Sequence, residues 1–185
     1  DYTEKTVPTV YAGQGRDYDY EGTNRGRLID DADDVASPAN GYLWNAALKK
    51  HVSLRNYGEF VQEGPELNRP EAHKATKSAL DPHTCPDYYG FDLSIPDQQR
   101  ADVWLREFSA FVEKGTLPAL EIVRLPTDHT TGAAEGTPTP HAYMTDNDLA
   151  LGRRIESVPR SPHARATVCF TPQRDGKRVV EGGGG

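Results

Sequence analysis

The sequence contains few cysteines and no long apolar run. Its two cysteines, Cys85 and Cys169, are too few for a disulfide scaffold and lack zinc-ribbon spacing, although one pair could form in an exported protein. No window approaches the about 20 consecutive apolar residues of a transmembrane helix, so we predict no membrane span. A P-loop, a GxGxxG fingerprint and a GxSxG nucleophile elbow are also missing, which argues against the enzyme classes that those motifs mark.

The sequence also lacks a basic patch. The net charge is −7 and the pI is near 5.3, so binding a polyanion would need a local cluster of Lys and Arg that is not visible, and we predict no nucleic-acid partner. The 185 residues suit one domain. Two Trp, nine Tyr and five Phe provide aromatic side chains for a core, although the mean hydropathy of −0.72 is polar for a globular protein.

Periodic apolar residues predict helices that alternate with short strands, the pattern of an α/β fold. The predicted strands cover 52–56, 120–125 and 167–170. The first predicted helix covers about 41–51 and is capped by Asn40, and the second begins at a Ser94 cap, has Pro96 in its first turn and stops at Gly115. The third begins with a capping box of Thr145 and Asp148 and is ended by Pro159. Residues 1–40, 62–90 and 127–140 are predicted to be loops, and 171–185 a disordered tail.

The strongest chemical signal is the segment Thr127-Asp-His-Thr-Thr-Gly132, in which Asp128 and His129 stand side by side just after the predicted strand over 120–125. In open α/β sheets, ligands collect beyond the carboxyl ends of strands. A carboxylate and an imidazole there could bind a metal ion, or they could place an acid and a base on one substrate. The alternative is an Asx turn beside a surface histidine, since Asp, Thr and Gly are common turn residues.

Other candidate sites have simple structural explanations. Asp146 and Asp148 could be metal carboxylates, but acidic residues at the start of a helix also stabilise its dipole. The acidic run over 30–34 lacks the glycine and closing glutamate of an EF-hand. Aromatic stacking on a sugar or base is available to Tyr11, Tyr18 and Tyr20, but packing of a coil-rich segment explains them as well. We interpret the remaining histidines as structural or exposed.

A series of short motifs resembles the bacterial phosphoesterase family of the alkaline phosphatase superfamily, which includes acid phosphatases and phospholipase C-like enzymes. The match covers about residues 1–165, and the motifs in order are Asp1-Tyr-Thr-Glu-Lys5, Tyr18-Asp-Tyr-Glu-Gly22, Tyr57-Gly-Glu-Phe60, Cys85-Pro-Asp-Tyr88, Gly90-Phe-Asp-Leu93, Asp128-His-Thr-Thr131 and Asp146-Asn-Asp-Leu-Ala-Leu-Gly152. Each motif is modest alone, and their shared order makes the resemblance specific.

The resemblance implies a three-layer α/β/α hydrolase that cleaves phosphate esters, either small molecules or phospholipids, at a divalent metal ion. It assigns Asp128 and His129 to the metal or phosphate environment, with His129 as the catalytic residue, and Thr130 and Thr131 to substrate binding. Tyr57 and Glu59 are weaker candidates for the wall of the cleft. Export to the periplasm or beyond, and fusion to a β-propeller, are implied by the family alone.

The sequence departs from the family pattern in two places. The Glu-Asn-Arg-type metal motif and the hydroxyl nucleophile of the family are not found in this chain, and the segment over 167–170 does not lead into the family's acidic pair. We therefore interpret residues 1–165 as a partial phosphoesterase domain and 166–185 as an atypical tail. On this interpretation the chain is an internal fragment, and it has little or no catalytic activity alone, because it lacks the nucleophile and most metal ligands.

A second function fits the same residues without catalysis. The Tyr-rich start and the long loops could form a binding module for a carbohydrate or a partner protein. Such a module would bind its ligand without a metal ion, whereas the hydrolase interpretation requires one.

Overall fold

The computed structural model describes residues 40–61, 73–75 and 77–160. These residues form a mixed α/β structure with a small sheet of two parallel strands. The regular elements are α1 (Leu43–Lys49), β1 (Leu54–Tyr57), α2 (Asp97–Lys114), β2 (Leu120–Val123) and α3 (Pro140–Ser157), with 3₁₀ turns at Asp81–His83, Pro126–Asp128 and Val158–Arg160. No helix in these ranges is both long enough and apolar enough to cross a membrane.

The chain divides into two compact units, each built from two separate stretches. Within the described residues, the first unit comprises 40–61, 73–75, 77–95 and 118–126, and the second comprises 96–117 and 127–160. The sheet and α1 belong to the first unit, whereas α2 and α3 belong to the second. Because the two strands are parallel, the chain between them must make a crossover, and α2 lies in that connection.

Aromatic side chains form the core of the first unit. The buried cluster contains Trp44, Leu54, Phe60, Ala75 and Leu80. The Trp44 and Phe60 rings meet edge to face with their centroids 5.5 Å apart. In the register of the sheet, Leu54 pairs with Leu120, and the half-buried Leu120 packs against the same cluster.

The predicted elements of this unit are present with shifted boundaries. The helix predicted over 41–51 is α1, which begins after Tyr42 rather than Asn40, and the Asn45 side chain accepts a 2.8 Å hydrogen bond from the Tyr42 backbone N–H. The strand predicted over 52–56 is β1, and the strand over 120–125 is β2. Differences of one or two residues at such ends are common, because helix and strand termini fray.

Two helix-start predictions in the second unit were wrong. Ser94 does not cap α2, since its hydroxyl donates to Asp92 at 2.6 Å and the helix begins at Asp97. The capping box of Thr145 and Asp148 is not formed either, because α3 begins earlier. Thr139 caps α3 by accepting the Ala142 N–H at 3.2 Å, and Pro140 occupies the first turn, where its fixed φ suits a helix.

The end of α2 follows the prediction. Gly115 adopts a left-handed φ of 65° at the C-cap, where its N–H bonds to the Val112 carbonyl. Glycine takes this conformation without the steric cost of a Cβ atom.

Trp104 and Phe108 stack at 4.5 Å on the buried face of α2, and the Arg154 guanidinium of α3 lies 4.6 Å above the Trp104 ring.

Several predictions fall outside the described residues. They concern Tyr11, Tyr18, Tyr20, the acidic run over 30–34, His163, Cys169, the strand over 167–170 and the tail over 166–185. Cys85 lies within the described part and is buried, and its backbone N–H bonds to the Asn56 carbonyl at 2.8 Å.

Candidate functional site

The carboxyl end of β1 is held by the side chain of a buried asparagine. The Asn56 amide donates to the Glu59 carbonyl at 2.9 Å and to Thr84 Oγ1 at 2.9 Å, and its oxygen accepts the Glu59 N–H at 3.1 Å. Gly58, with a φ of 93°, makes this turn possible, because a Cβ there would lie 2.9 Å from the Tyr89 carbonyl oxygen. The backbone after β1 is therefore fixed at the edge where ligands bind in α/β sheets.

An acidic and a basic side chain follow the two strands at this edge. Arg124 comes directly after β2, and one of its guanidinium nitrogens lies 3.9 Å from Glu59 Oε2. The Arg124 guanidinium also stacks over the Phe91 ring at 4.9 Å. The Arg124 and Glu59 side chains are only 12% and 25% exposed, and the assignment of Glu59 to the wall of a cleft stays a prediction.

Tyr57 occupies the core rather than a surface. It is fully buried and meets the buried Tyr88 ring edge to face at 5.5 Å. The Tyr88 hydroxyl donates to the Arg124 carbonyl at 2.7 Å, which ties this aromatic pair to the chain after β2. The expectation that Tyr57 lines a cleft is therefore not met in this structure, and a packing role explains the residue.

The predicted pair, Asp128 and His129, lies on the second unit. Asp128 ends the 3₁₀ turn Pro126–Asp128, and His129 follows it. Asp128 Oδ1 and His129 Nδ1 are 2.7 Å apart, which is a short hydrogen bond between neighbouring residues. The His129 side chain is 24% exposed and the Asp128 side chain 51%, so the pair is accessible to solvent.

The hydrogen bond sets the chemistry of the imidazole. A carboxylate accepts but cannot donate, so Nδ1 must carry the proton, and Nε2 of the neutral ring is then the acceptor nitrogen. This arrangement recurs where a carboxylate orients a histidine for metal binding or for proton transfer. The hydrogen bond therefore favours the interpretation that Asp128 orients the His129 imidazole over the alternative of an Asx turn beside a surface histidine.

The two threonines that follow are part of the exposed loop before α3. Thr130 Oγ1 accepts the Gly132 N–H at 3.2 Å, and Thr131 Oγ1 donates to Thr137 Oγ1 at 2.7 Å. The Thr137 hydroxyl in turn donates to the Ala134 carbonyl. Both threonines therefore help to close the loop, and their assignment to substrate binding stays a prediction.

A buried polar network lies next to the pair and was missed in the sequence. The fully buried Asp97, at the start of α2, accepts hydrogen bonds from the Thr127 N–H at 3.0 Å, from Thr127 Oγ1 at 2.6 Å and from Asn147 Nδ2 at 2.9 Å. Its other oxygen pairs with the fully buried Arg100 at 3.0 Å. A buried carboxylate requires such partners, since an unpaired charge in a protein interior is costly.

Asp146 adds a second carboxylate to this network. One of its oxygens accepts the Asp97 N–H at 2.6 Å and lies 3.2 Å from Thr127 Oγ1, and the other accepts the Gln98 N–H at 3.4 Å. The carboxylate thus caps α2, although Asp146 itself belongs to α3. Asp146 was predicted to stabilise the start of its own helix, α3, but its carboxylate lies at the start of α2, where the helix dipole favours a negative charge. We refer to Asp97, Arg100, Thr127, Asp146 and Asn147 as the Asp97 network.

The described residues do not by themselves form a metal site. Asp128 and His129 offer one carboxylate and one imidazole, but no group of three or more His, Cys, Asp or Glu side chains in the described ranges could hold a metal ion. Structural and catalytic zinc sites use at least three protein ligands. A metal ion bound by this pair would therefore need ligands from outside the residues described here.

Comparisons with family models, with curated proteins and with solved structures found no match to this chain.

Proposed function

We propose that this chain carries part of the active site of a metal-dependent hydrolase that acts on phosphate esters. The observation that carries the proposal is the 2.7 Å hydrogen bond between Asp128 Oδ1 and His129 Nδ1 on an exposed loop. The ordered series of motifs that resembles the phosphoesterase family supplies the substrate class. On this proposal, the observed mixed α/β structure is part of a three-layer α/β/α domain.

The pair would act on the proton that phosphate-ester cleavage must move. As the nucleophile forms a new bond to phosphorus, the bond from phosphorus to the leaving oxygen breaks, and that oxygen needs a proton. The His129 imidazolium, held by Asp128, would donate its Nε2 proton to the leaving oxygen and become neutral. A positioned proton donor of this kind typically contributes about 10²–10⁴-fold to a rate.

The metal ion would bind beside the protonated ring. Alternatively, Nε2 of the neutral ring would be one of its ligands, and another group would then have to protonate the leaving oxygen. When bound, a divalent ion polarises the phosphoryl oxygens and lowers the pKa of a nucleophile. The nucleophile and the remaining metal ligands would lie outside the described residues. The residues of this chain would orient the imidazole and exchange its proton.

The decisive experiment measures hydrolysis by the natural polypeptide that contains this sequence. The substrates are p-nitrophenyl phosphate and bis(p-nitrophenyl) phosphate, each with and without EDTA. We expect EDTA to abolish turnover, and Asp128→Ala and His129→Ala each to lower kcat by about 100-fold or more. The matched control is His141→Ala, since His141 is an exposed histidine of the same unit, and it should leave kcat unchanged. Wild-type turnover in both pair variants would disprove the site.

A further inference from the structure

Thr127 is held in place through its backbone and through its side chain at once. The same oxygen of Asp97 accepts both the N–H and the hydroxyl of Thr127. Pro126 precedes it and fixes its own φ by its ring. Asp128 is the next residue, so its backbone begins from a point with little rotational freedom, although its side chain is half exposed.

The exposed pair needs such an anchor to keep its geometry. Solvent-exposed ion pairs typically contribute only about 0–1 kcal/mol, because water screens the charges and the side chains lose entropy when they associate. A pair of this strength on a freely moving loop would be broken much of the time. The loop over 130–139 that follows is exposed throughout, so the fixed end of the segment is at Thr127.

We propose that Asp97 is a positioning residue for the Asp128–His129 pair and that it acts through Thr127. Asp97 stands 30 positions before Thr127 in the chain, and its hydrogen bonds described above join it to Thr127, Asn147, Asp146 and Arg100. Its contribution is to hold the backbone from which Asp128 reaches His129 Nδ1. A role of Asp97 in catalysis rests on the proposed function. Its effect on the hydrogen bond between Asp128 and His129 does not depend on that function.

Arg100, Asn147 and Asp146 keep Asp97 in its own position. Arg100 balances the Asp97 charge, Asn147 donates to the same oxygen that holds Thr127, and Asp146 binds the N–H of Asp97. Charged hydrogen bonds in a buried setting are stronger than neutral ones, and networks of them specify one arrangement. If the network served stability alone, its loss would lower the free energy of unfolding but would not change the His129 ring.

The test reads the tautomer of His129 by nitrogen-15 NMR at about pH 9, where an ordinary histidine is neutral. In the wild-type chain, the Nδ1–H tautomer should dominate, because Asp128 accepts that proton. Thr127→Val keeps the shape of the side chain but removes the hydroxyl. It should lower the ratio of Nδ1–H to Nε2–H by roughly fivefold, the effect of one ordinary hydrogen bond.

Two further variants separate positioning from stability. Thr127→Ser restores the hydroxyl and should restore the ratio. Phe108→Leu lowers the stability of the same unit without touching the Asp97 network, and it should leave the ratio unchanged. A wild-type ring dominated by Nε2–H, or an equal shift in Thr127→Val and Phe108→Leu, would overturn the proposal.

Asn147→Leu provides an independent route to the same result if Thr127→Val does not fold. It removes one donor to Asp97 and leaves Thr127 intact, so it should lower the ratio in the same direction by less, and an unchanged ratio would count against the inference. Failure of the proposed function gives a different pattern. If the tautomer responds as expected but His129→Ala does not slow phosphate-ester hydrolysis, the positioning stands and the function falls.

Discussion

The two units of this chain differ in the polar groups that they bury, since the first buries the neutral Asn56 and Thr84, whereas the second buries the ion pair of Asp97 and Arg100. The first unit surrounds two short strands with aromatic and aliphatic residues, among which Trp44, Phe60 and Leu80 are buried. The second unit contains the two long helices α2 and α3, and the charged and polar side chains of the Asp97 network lie at the start of α2. Arg100 and Asp97 are both fully buried there.

This difference shows what each kind of interior can do. Apolar contacts are non-directional, so a core such as that of the first unit tolerates changes of shape when the volume is kept. Hydrogen bonds to a buried carboxylate fix direction as well as distance, so the second unit can hold one loop backbone in one place. The unit that carries the candidate site is the one whose buried polar groups include the ion pair of Asp97 and Arg100.

The largest expected effect tests the polar interior. Asp97→Ala leaves the Arg100 charge buried without its carboxylate, and loss of one partner of a buried pair costs about 3–5 kcal/mol. Urea unfolding should show this loss in the fluorescence of Trp104. Of the two tryptophans in the chain, Trp104 is the one that lies in the second unit. The measurement uses a Trp44→Phe background, so that Trp104 alone reports. A loss below about 1 kcal/mol would mean that the network is dispensable.

A backbone change tests whether the first unit also contains a rigid point. Gly58→Ala places a Cβ 2.9 Å from the Tyr89 carbonyl at a φ of 93°, so we expect a loss of about 1–3 kcal/mol. Urea unfolding of a Trp104→Phe background, with Trp44 as the reporter, measures it. Gly115→Ala, measured through Trp104 in the Trp44→Phe background, is the comparison, because a Cβ there meets nothing within 4 Å. Equal losses in the two variants would show that crowding at Gly58 is unimportant.

A volume-conserving swap sharpens the contrast between the two interiors. Leu80 is fully buried in the aromatic core, and Leu80→Met should cost less than about 1.5 kcal/mol because the core can repack. Asp97→Asn is the corresponding conservative change in the second unit, and it should cost more, since the amide has one fewer acceptor oxygen and Arg100 loses its counter-charge. The comparison by urea unfolding fails if Leu80→Met proves the more damaging change.

The smallest effect concerns a polar contact at the surface of the second unit. Thr139→Ala removes the N-cap of α3, which is exposed, and N-cap losses are typically about 1 kcal/mol. Thr139→Ser should retain most of the stability in the same unfolding experiment. If Thr139→Ala were as damaging as Asp97→Ala, burial would not explain the importance of the Asp97 network.

Local sequence signals predicted the elements but not the network. The stop of α2 at Gly115 and the positions of β1 and β2 follow from residues a few positions apart. The start of α3 was misplaced because Thr145 and Asp148 imitate a capping box, while Thr139 and Pro140 were absorbed into a predicted loop. The partners of Asp97 lie 30 and 50 positions away, and periodicity carries no information about contacts at that separation.

The sequence could name the candidate pair because its two members are adjacent, but it could not predict the hydrogen bond between them. The sequence indicated Asp128 and His129 by their chemistry and by their place after a strand. Whether the carboxylate turns toward the imidazole depends on backbone angles next to Thr127, whose partner Asp97 lies 30 positions away from the motif. Tyr57 shows the converse, since a residue in a matched motif is fully buried in the core.

The most direct test of the central claim is a manganese titration of the 185-residue chain, followed by NMR line broadening of the histidine rings. The account predicts that His129 broadens at a manganese concentration at least about tenfold lower than His141, and that Asp128→Asn removes this difference, as loss of a carboxylate partner of a ligating histidine typically costs 10–100-fold. Equal broadening of His129 and His141 in the wild-type chain would contradict the account.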